Sequence, residues 1–156
     1  MIKTALLFAG QGAQVVGMGK DLAEKFPSAK AWFDRANTAL GYDLAKICFE
    51  GPEADLTKTE NAQPGIFLVS WVCFLLLKEQ NPTLKFEATA GLSLGEFTAL
   101  TAAGAMSFED GLRVVRQRGK FMQEACDATK GGMAAIIGLD EEIGRASCRE
   151  RVCVPV

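Results

Sequence analysis

Short apolar runs of strand length alternate along the chain with longer segments in which apolar residues recur at helical spacing. The short runs predict three strands, at residues 4–8, 86–90 and 133–139. The longer segments predict five helices, at residues 29–40, 44–49, 64–80, 94–103 and 107–125. Strands that alternate with helices are typical of an α/β fold with a mainly parallel sheet and flanking helices.

Residues at the ends of these segments predict where helices begin and end. Ser28 is a candidate N-cap for the first helix, and Gly41 is a fitting stop. Pro64 can occupy the first turn of the long apolar helix. Ser107 followed by Asp110 resembles a capping box, with Asp in place of the usual Glu.

Composition and charge are those of an ordinary soluble globular protein. The chain has 156 residues, of which 49% are hydrophobic and 23% charged, and its net charge is -2. We therefore expect no nucleic-acid partner and no anionic-membrane partner. The apolar run within residues 1–10 is too short for a signal peptide. The apolar run at residues 66–77 is shorter than the roughly 20 residues that span a bilayer, so we predict a buried helix at 66–77. We also predict a cytoplasmic protein.

The cysteine pattern favours reduced thiols. The chain has an odd number of cysteines and no Cys-x-x-Cys spacing; they are Cys48, Cys73, Cys126, Cys148 and Cys153. Such a set is typical of buried or bystander thiols in a reducing compartment. The chain also has no histidine, so we expect no metal site.

A Gly-x-Ser-x-Gly sequence surrounds Ser93, directly between a predicted strand and a predicted helix. This context is typical of a nucleophile elbow, a sharp turn that exposes a serine hydroxyl for acyl transfer through a covalent ester. The backbone amide of Leu94 would then lie at a helix N-terminus, where it can donate to the oxyanion of a tetrahedral intermediate. A serine nucleophile needs a base, usually histidine, and the chain contains none.

The glycine-rich sequence Gly10-Gln11-Gly12 follows the first predicted strand. Glycines let the backbone approach a substrate closely, so this loop is a candidate for the second oxyanion donor. Two alternatives stay open. A phosphate-binding loop is disfavoured because the third glycine of the dinucleotide motif is absent and no Gly-Lys-Ser/Thr follows. A merely structural tight turn fits the same residues.

Arg118 lies on the apolar face of the helix at 107–125, three residues after Val115 and four before Met122. A charge that points inward needs an anionic partner, because burying it unpaired is costly. A substrate carboxylate bound by both arms of the guanidinium would satisfy this need. A structural ion pair with a buried Asp or Glu satisfies it equally well.

Three motifs together resemble the malonyl-CoA:acyl carrier protein transacylase family. They are LLFAGQGAQ at residues 6–14, GLSLGE at 91–96 and RGKFMQ at 118–123. The resemblance covers residues 1 to about 141 and implies a role for each motif. Ser93 would accept the acyl group, the backbone amides of Gln11 and Leu94 would form the oxyanion hole, and Arg118 would pair with the malonyl carboxylate.

The resemblance also implies a reaction, partners and domains. Family members transfer malonyl from coenzyme A to serine and then to acyl carrier protein in fatty acid synthesis, as monomers without a cofactor. Residues 1–128 would be the N-terminal part of a hydrolase-like subdomain, and 129–141 would begin a small ferredoxin-like subdomain with its first strand. The family's catalytic histidine lies farther downstream, so we expect this chain to be truncated and inactive alone. Alternatives are a fragment of a polyketide-synthase acyltransferase domain and a non-catalytic fragment.

One motif residue departs from the family pattern, and the tail differs from the rest of the chain. Leu92 stands where many members have a histidine, which is not the catalytic base. The tail at residues 142–156 lacks strand alternation and an apolar helical face, and residues 142–152 resemble a translated sequencing adapter. We predict that this tail is artefactual.

Overall fold

The computed structural model describes residues 3–128, which form a small parallel sheet with helices packed around it. The strands are β1 (Ala5–Phe8) and β2 (Ala88–Gly91). The helices are α1 (Lys20–Lys25), α2 (Pro27–Leu40), α3 (Leu44–Glu50), α4 (Glu53–Thr57), α5 (Thr59–Gln80), α6 (Gly95–Ala102) and α7 (Phe108–Ala128). The predicted strand at 133–139, the ferredoxin-like segment 129–141 and the tail 142–156 lie outside the described residues.

β1 and β2 pair in parallel, with Ala5 opposite Ala88 and Phe8 opposite Gly91. This pairing confirms the predicted α/β class with a parallel sheet. Parallel strands end at the same edge of a sheet, so the loop after β1 and the turn after β2 lie side by side. The Gly10-Gln11-Gly12 loop and the turn that contains Ser93 therefore both lie at that edge.

Helix α5 lies at the centre of the core and packs most extensively against α7. Phe67 on α5 is fully buried and stacks on Phe108 of α7, with ring centroids 5.7 Å apart. Leu112 and Val115 on α7 are also fully buried. This apolar seam fixes the position of α7 and of every polar side chain on its inner face.

The predicted start of α5 was wrong. The helix begins at Thr59, so Pro64 lies inside it rather than in its first turn. At 22 residues, α5 is long and apolar enough to cross a membrane by length and composition, a test that the core helix of a soluble protein also passes. The prediction of a buried helix is confirmed, because Ala62 to Leu68 are all buried against the rest of the protein.

Of the other three predicted helix ends, two are confirmed and one is wrong. Gly41 ends α2 in the left-handed conformation at φ 73°, and its N–H donates to the Asn37 carbonyl. The Ser107 hydroxyl accepts from the Asp110 N–H at 3.1 Å and donates to the Asp110 carboxylate at 2.7 Å. Ser28 is not an N-cap: the fixed φ of Pro27 already starts the helix. Its hydroxyl hydrogen-bonds to Glu79 instead.

Neighbouring valines on α7 test the importance of the seam with α5. Val115 is 0% exposed, whereas Val114 is 44% exposed. We expect Val115→Ala to lower the free energy of unfolding by about 2 kcal/mol, because it removes buried methyl groups and leaves a cavity. Val114→Ala should change it by no more than about 0.5 kcal/mol. Urea unfolding of the 156-residue chain measures both, and equal losses would contradict the packing described.

Candidate active site

The elbow around Ser93 has the strand, turn and helix that the sequence predicted. Ser93 is exposed and has φ 54°, a conformation that residues other than glycine rarely adopt. A Cβ on Gly91 would overlap the backbone of Gly95, and a Cβ on Gly95 would overlap the Phe8 carbonyl oxygen. Both glycines are therefore required, because the turn folds back tightly against the end of β1.

The loop after β1 lies directly against this elbow. A Cβ on Gly10 would lie 2.6 Å from the carbonyl oxygen of Leu92. Within the loop, the Gly12 N–H donates to the Gln14 side chain at 2.8 Å. Among residues 3–128, no acceptor takes the backbone N–H of Gln11 or of Leu94. The two predicted oxyanion donors are thus available on neighbouring segments.

Arg118 reaches the nucleophile candidate from α7. Its Nη2 donates to Ser93 Oγ at 2.7 Å, and its Nη1 donates to Gln63 Oε1 at 2.7 Å. The guanidinium carbon lies 5.8 Å from the centroid of the Phe97 ring. Within the described part of the chain, no carboxylate lies within ion-pair distance of Arg118. The structural ion pair left open by the sequence therefore has no partner there.

Gln63 belongs to the site and was missed from the sequence. It is 0% exposed on α5, and its Nε2 donates to the sulfur of Met122 at 3.1 Å and to Gln11 Oε1 at 3.5 Å. Its amide thus contacts both the loop after β1 and the arginine on α7. The sequence could have indicated this role, because Gln63 is a polar residue within an apolar helix. A buried polar side chain is unusual unless its groups are hydrogen-bonded.

The described thiols differ in burial. Cys48 is buried, which raises the pKa of its thiol to about 12, whereas Cys73 and Cys126 are exposed. A buried, protonated thiol is a poor nucleophile, so Cys48 is a structural residue. Among residues 3–128, no group of three Cys, Asp or Glu side chains is arranged to hold a metal ion.

The arrangement combines an exposed hydroxyl, two available amide donors and a guanidinium. It can hold an acyl group at the hydroxyl, stabilise an oxyanion at the amides and bind a free carboxylate at Arg118. In the described structure, the hydroxyl of Ser93 hydrogen-bonds to Arg118, which has no acceptor atom to take its proton. The base that this chemistry needs is not among these contacts.

Comparison with known proteins gives one consistent family. Residues 5–156 match the family model described as acyl transferase domain. The chain is 50% identical over 142 residues to a malonyl CoA-acyl carrier protein transacylase of Bacillus subtilis, covering 91% of this chain and 44% of that protein. The chain thus spans about half the length of the curated relatives it matches.

Solved structures agree with this match. A malonyl-CoA:acyl carrier protein transacylase from Helicobacter pylori superposes with a TM-score of 0.86 at 41% identity, covering 96% of this chain and 48% of that one. A second structure holds a malonyl-transacylase in complex with its type II PKS acyl-carrier protein, with a TM-score of 0.79, 37% identity and the same coverage of both chains. The fold and the family resemblance predicted from the sequence are confirmed.

Gly95, the first residue of α6, and Gly104, two residues beyond its end, test the geometry of the elbow. Gly95→Ala should lower the free energy of unfolding by about 3 kcal/mol, because its Cβ would meet the backbone of β1, which no rotamer change relieves. Gly104 is the control: it has φ 79° and open space around it, so Gly104→Ala should cost only about 1 kcal/mol. Urea unfolding of the chain measures both, and a milder loss at Gly95 would contradict the close approach.

Proposed function

Because the chain belongs to the acyl transferase domain family, we propose that its full-length protein transfers a malonyl group from malonyl-CoA to acyl carrier protein for fatty acid synthesis. Ser93 carries the acyl group as an ester in this proposal. The observation that carries it is the contact of Arg118 with Ser93 Oγ at 2.7 Å, with no carboxylate paired to that arginine among residues 3–128. A cation beside the nucleophile suits an acyl group that has a second, free carboxylate.

The first half of the reaction forms the ester. Ser93 Oγ attacks the thioester carbonyl of malonyl-CoA and loses its proton to a base that the full-length protein supplies from outside these contacts. The backbone amides of Gln11 and Leu94 donate to the oxyanion. The carbon–sulfur bond then breaks, and coenzyme A leaves as a thiol after it takes up the proton.

The second half repeats these steps in reverse with a different thiol. The phosphopantetheine thiol of acyl carrier protein gives its proton to the same base and attacks the seryl ester, and the same amides stabilise the oxyanion. The carbon–oxygen bond to Ser93 then breaks, Ser93 Oγ takes the proton back from the base, and malonyl leaves as a thioester of the carrier protein. Malonyl-CoA and the acyl carrier protein are both substrates, so the cycle needs no bound cofactor. We propose that the protein works as a cytoplasmic monomer, without a nucleic-acid or membrane partner.

Arg118 holds the malonyl carboxylate in this mechanism. A guanidinium has five N–H donors, and Arg118 uses one for Ser93 and one for Gln63. The remaining donors can bind both oxygens of a carboxylate, which orients the thioester carbonyl toward Ser93. An acetyl group has no carboxylate and gains nothing from this contact.

A polyketide-synthase acyltransferase is the second candidate, favoured by the neighbour solved with its type II PKS acyl-carrier protein. The chemistry at Ser93 would be the same, and only the accepting carrier protein would differ. Malonyl transfer to a fatty-acid carrier protein and to a type II polyketide carrier protein, measured side by side, separates the two candidates. The preferred acceptor is the one with the higher kcat/KM.

The 156-residue chain alone should be a poor acyl acceptor, because it contains no histidine to take the Ser93 proton. After incubation with malonyl-CoA, intact mass spectrometry should detect little or no malonyl adduct on the chain. The full-length protein should be labelled at Ser93, and its Ser93→Ala variant should not be labelled. Rapid stoichiometric labelling of the chain alone would contradict the need for a base elsewhere.

The carboxylate role of Arg118 predicts a selective loss. In the full-length protein, Arg118→Ala should lower kcat/KM for malonyl-CoA about 100-fold, because a charge-paired contact disappears. The value for acetyl-CoA should fall less than about fivefold, since acetyl makes no such contact. Arg113→Ala is the control, because Arg113 is exposed on the same helix and pairs with Asp110. Equal losses for malonyl and acetyl would refute the role.

A further inference from the structure

Gln63 is a fully buried amide whose hydrogen bonds all serve the site. Its Oε1 accepts from Arg118, and its Nε2 donates to Gln11 and to the sulfur of Met122. Burying an amide costs free energy unless its groups are hydrogen-bonded, so these contacts account for a glutamine in the core. The side chain connects the loop that carries one oxyanion donor to the arginine beside Ser93.

The backbone around Gln63 holds the amide in a fixed place. Its neighbours Ala62 and Pro64 are buried as well, and α5 packs extensively against α7. Arg118, by contrast, has a long side chain that is only half-buried. A rigid acceptor on α5 therefore restricts the rotamers of Arg118 before substrate arrives, which reduces the entropy lost on binding.

The charge of the acceptor matters as much as its position. An amide oxygen accepts a hydrogen bond from a guanidinium without neutralising it, whereas a carboxylate would pair with it. Arg118 thus stays uncompensated among the described residues while being held at 2.7 Å by Gln63. Its charge remains available for a ligand.

We propose that Gln63 is the positioning residue that sets selectivity for acyl groups with a free carboxylate. Its neutral amide orients Arg118 toward the substrate, leaves the positive charge free and ties the arginine to the Gln11 loop. This inference rests on the proposed malonyl transfer and adds a residue that acts through Arg118, without touching the reacting atoms.

The decisive variant is Gln63→Glu in the full-length protein. It keeps the size and the acceptor but adds a negative charge that pairs with Arg118. The value of kcat/KM for malonyl-CoA should fall at least about 30-fold, as when a charged contact to the ligand is lost. The value for acetyl-CoA should fall by a much smaller factor, because acetyl makes no contact with Arg118, so the ratio of the two values collapses.

A second variant, Gln63→Met, separates positioning from charge. It is similar in length and suits a buried site, but it does not hold the guanidinium. The KM for malonyl-CoA should rise about tenfold, as expected when a hydrogen bond to a charged group is removed. The kcat should change little, and the KM for acetyl-CoA should rise less than the KM for malonyl-CoA, because acetyl makes no contact with Arg118. Thermal unfolding of both variants verifies that they fold.

Gln123→Glu is the matched control for the added charge. Gln123 lies on the same seam between α5 and α7, where its Oε1 accepts from the Thr59 N–H, and its Nε2 donates to Asp127. This variant should leave the malonyl-to-acetyl ratio within about twofold of wild type.

The outcomes separate the two proposals. A collapsed ratio in Gln63→Glu with a raised malonyl KM in Gln63→Met supports the positioning role. Equal losses for both acyl groups, or an unchanged ratio, overturn it while malonyl transfer by the wild type still stands. If the wild type does not prefer malonyl over acetyl, the proposed function fails, and this inference fails with it.

Discussion

The parallel pairing of β1 with β2 is the constraint on which the site depends. It brings Phe8 opposite Gly91, although five helices separate the two strands along the chain. Because parallel strands end at one edge, the pairing places the Gln11 loop against the Ser93 elbow. The close approach of Gly95 to the Phe8 carbonyl then leaves no room for a larger residue in the turn. One backbone register thus sets where the hydroxyl and both amide donors lie.

The seam between α5 and α7 supplies the second half of the site. Apolar contacts such as Phe67 on Phe108 hold the two helices together. The same packing carries Gln63 and Arg118 to within hydrogen-bond distance of each other. Stability and chemistry are therefore coupled here, since loosening the seam would also move the guanidinium away from Ser93.

Electrostatics explain why the partners of Arg118 are neutral. A buried carboxylate would compensate the charge, but it would compete with an anionic substrate. The described contacts of Arg118 are a hydroxyl, an amide oxygen and an aromatic ring, each of which accepts a cation without neutralising it. The site keeps a cation that is poorly satisfied within the described residues, which is the property expected of a binding group.

The sequence by itself determined the α/β class, the elbow at Ser93, the glycine-rich loop and the inward direction of Arg118. These are local properties: glycine spacing, strand length and helical periodicity depend on neighbouring residues. Local signals misplaced the start of α5 and the cap of α2, because Pro64 and Pro27 each fit more than one helical position.

Only the tertiary structure identified Gln63, since its role comes from contacts with residues more than fifty positions away. It also decided that Arg118 meets a hydroxyl and an amide among the described residues. The partner of a charge depends on which helices pack together, and periodicity along one helix does not specify that.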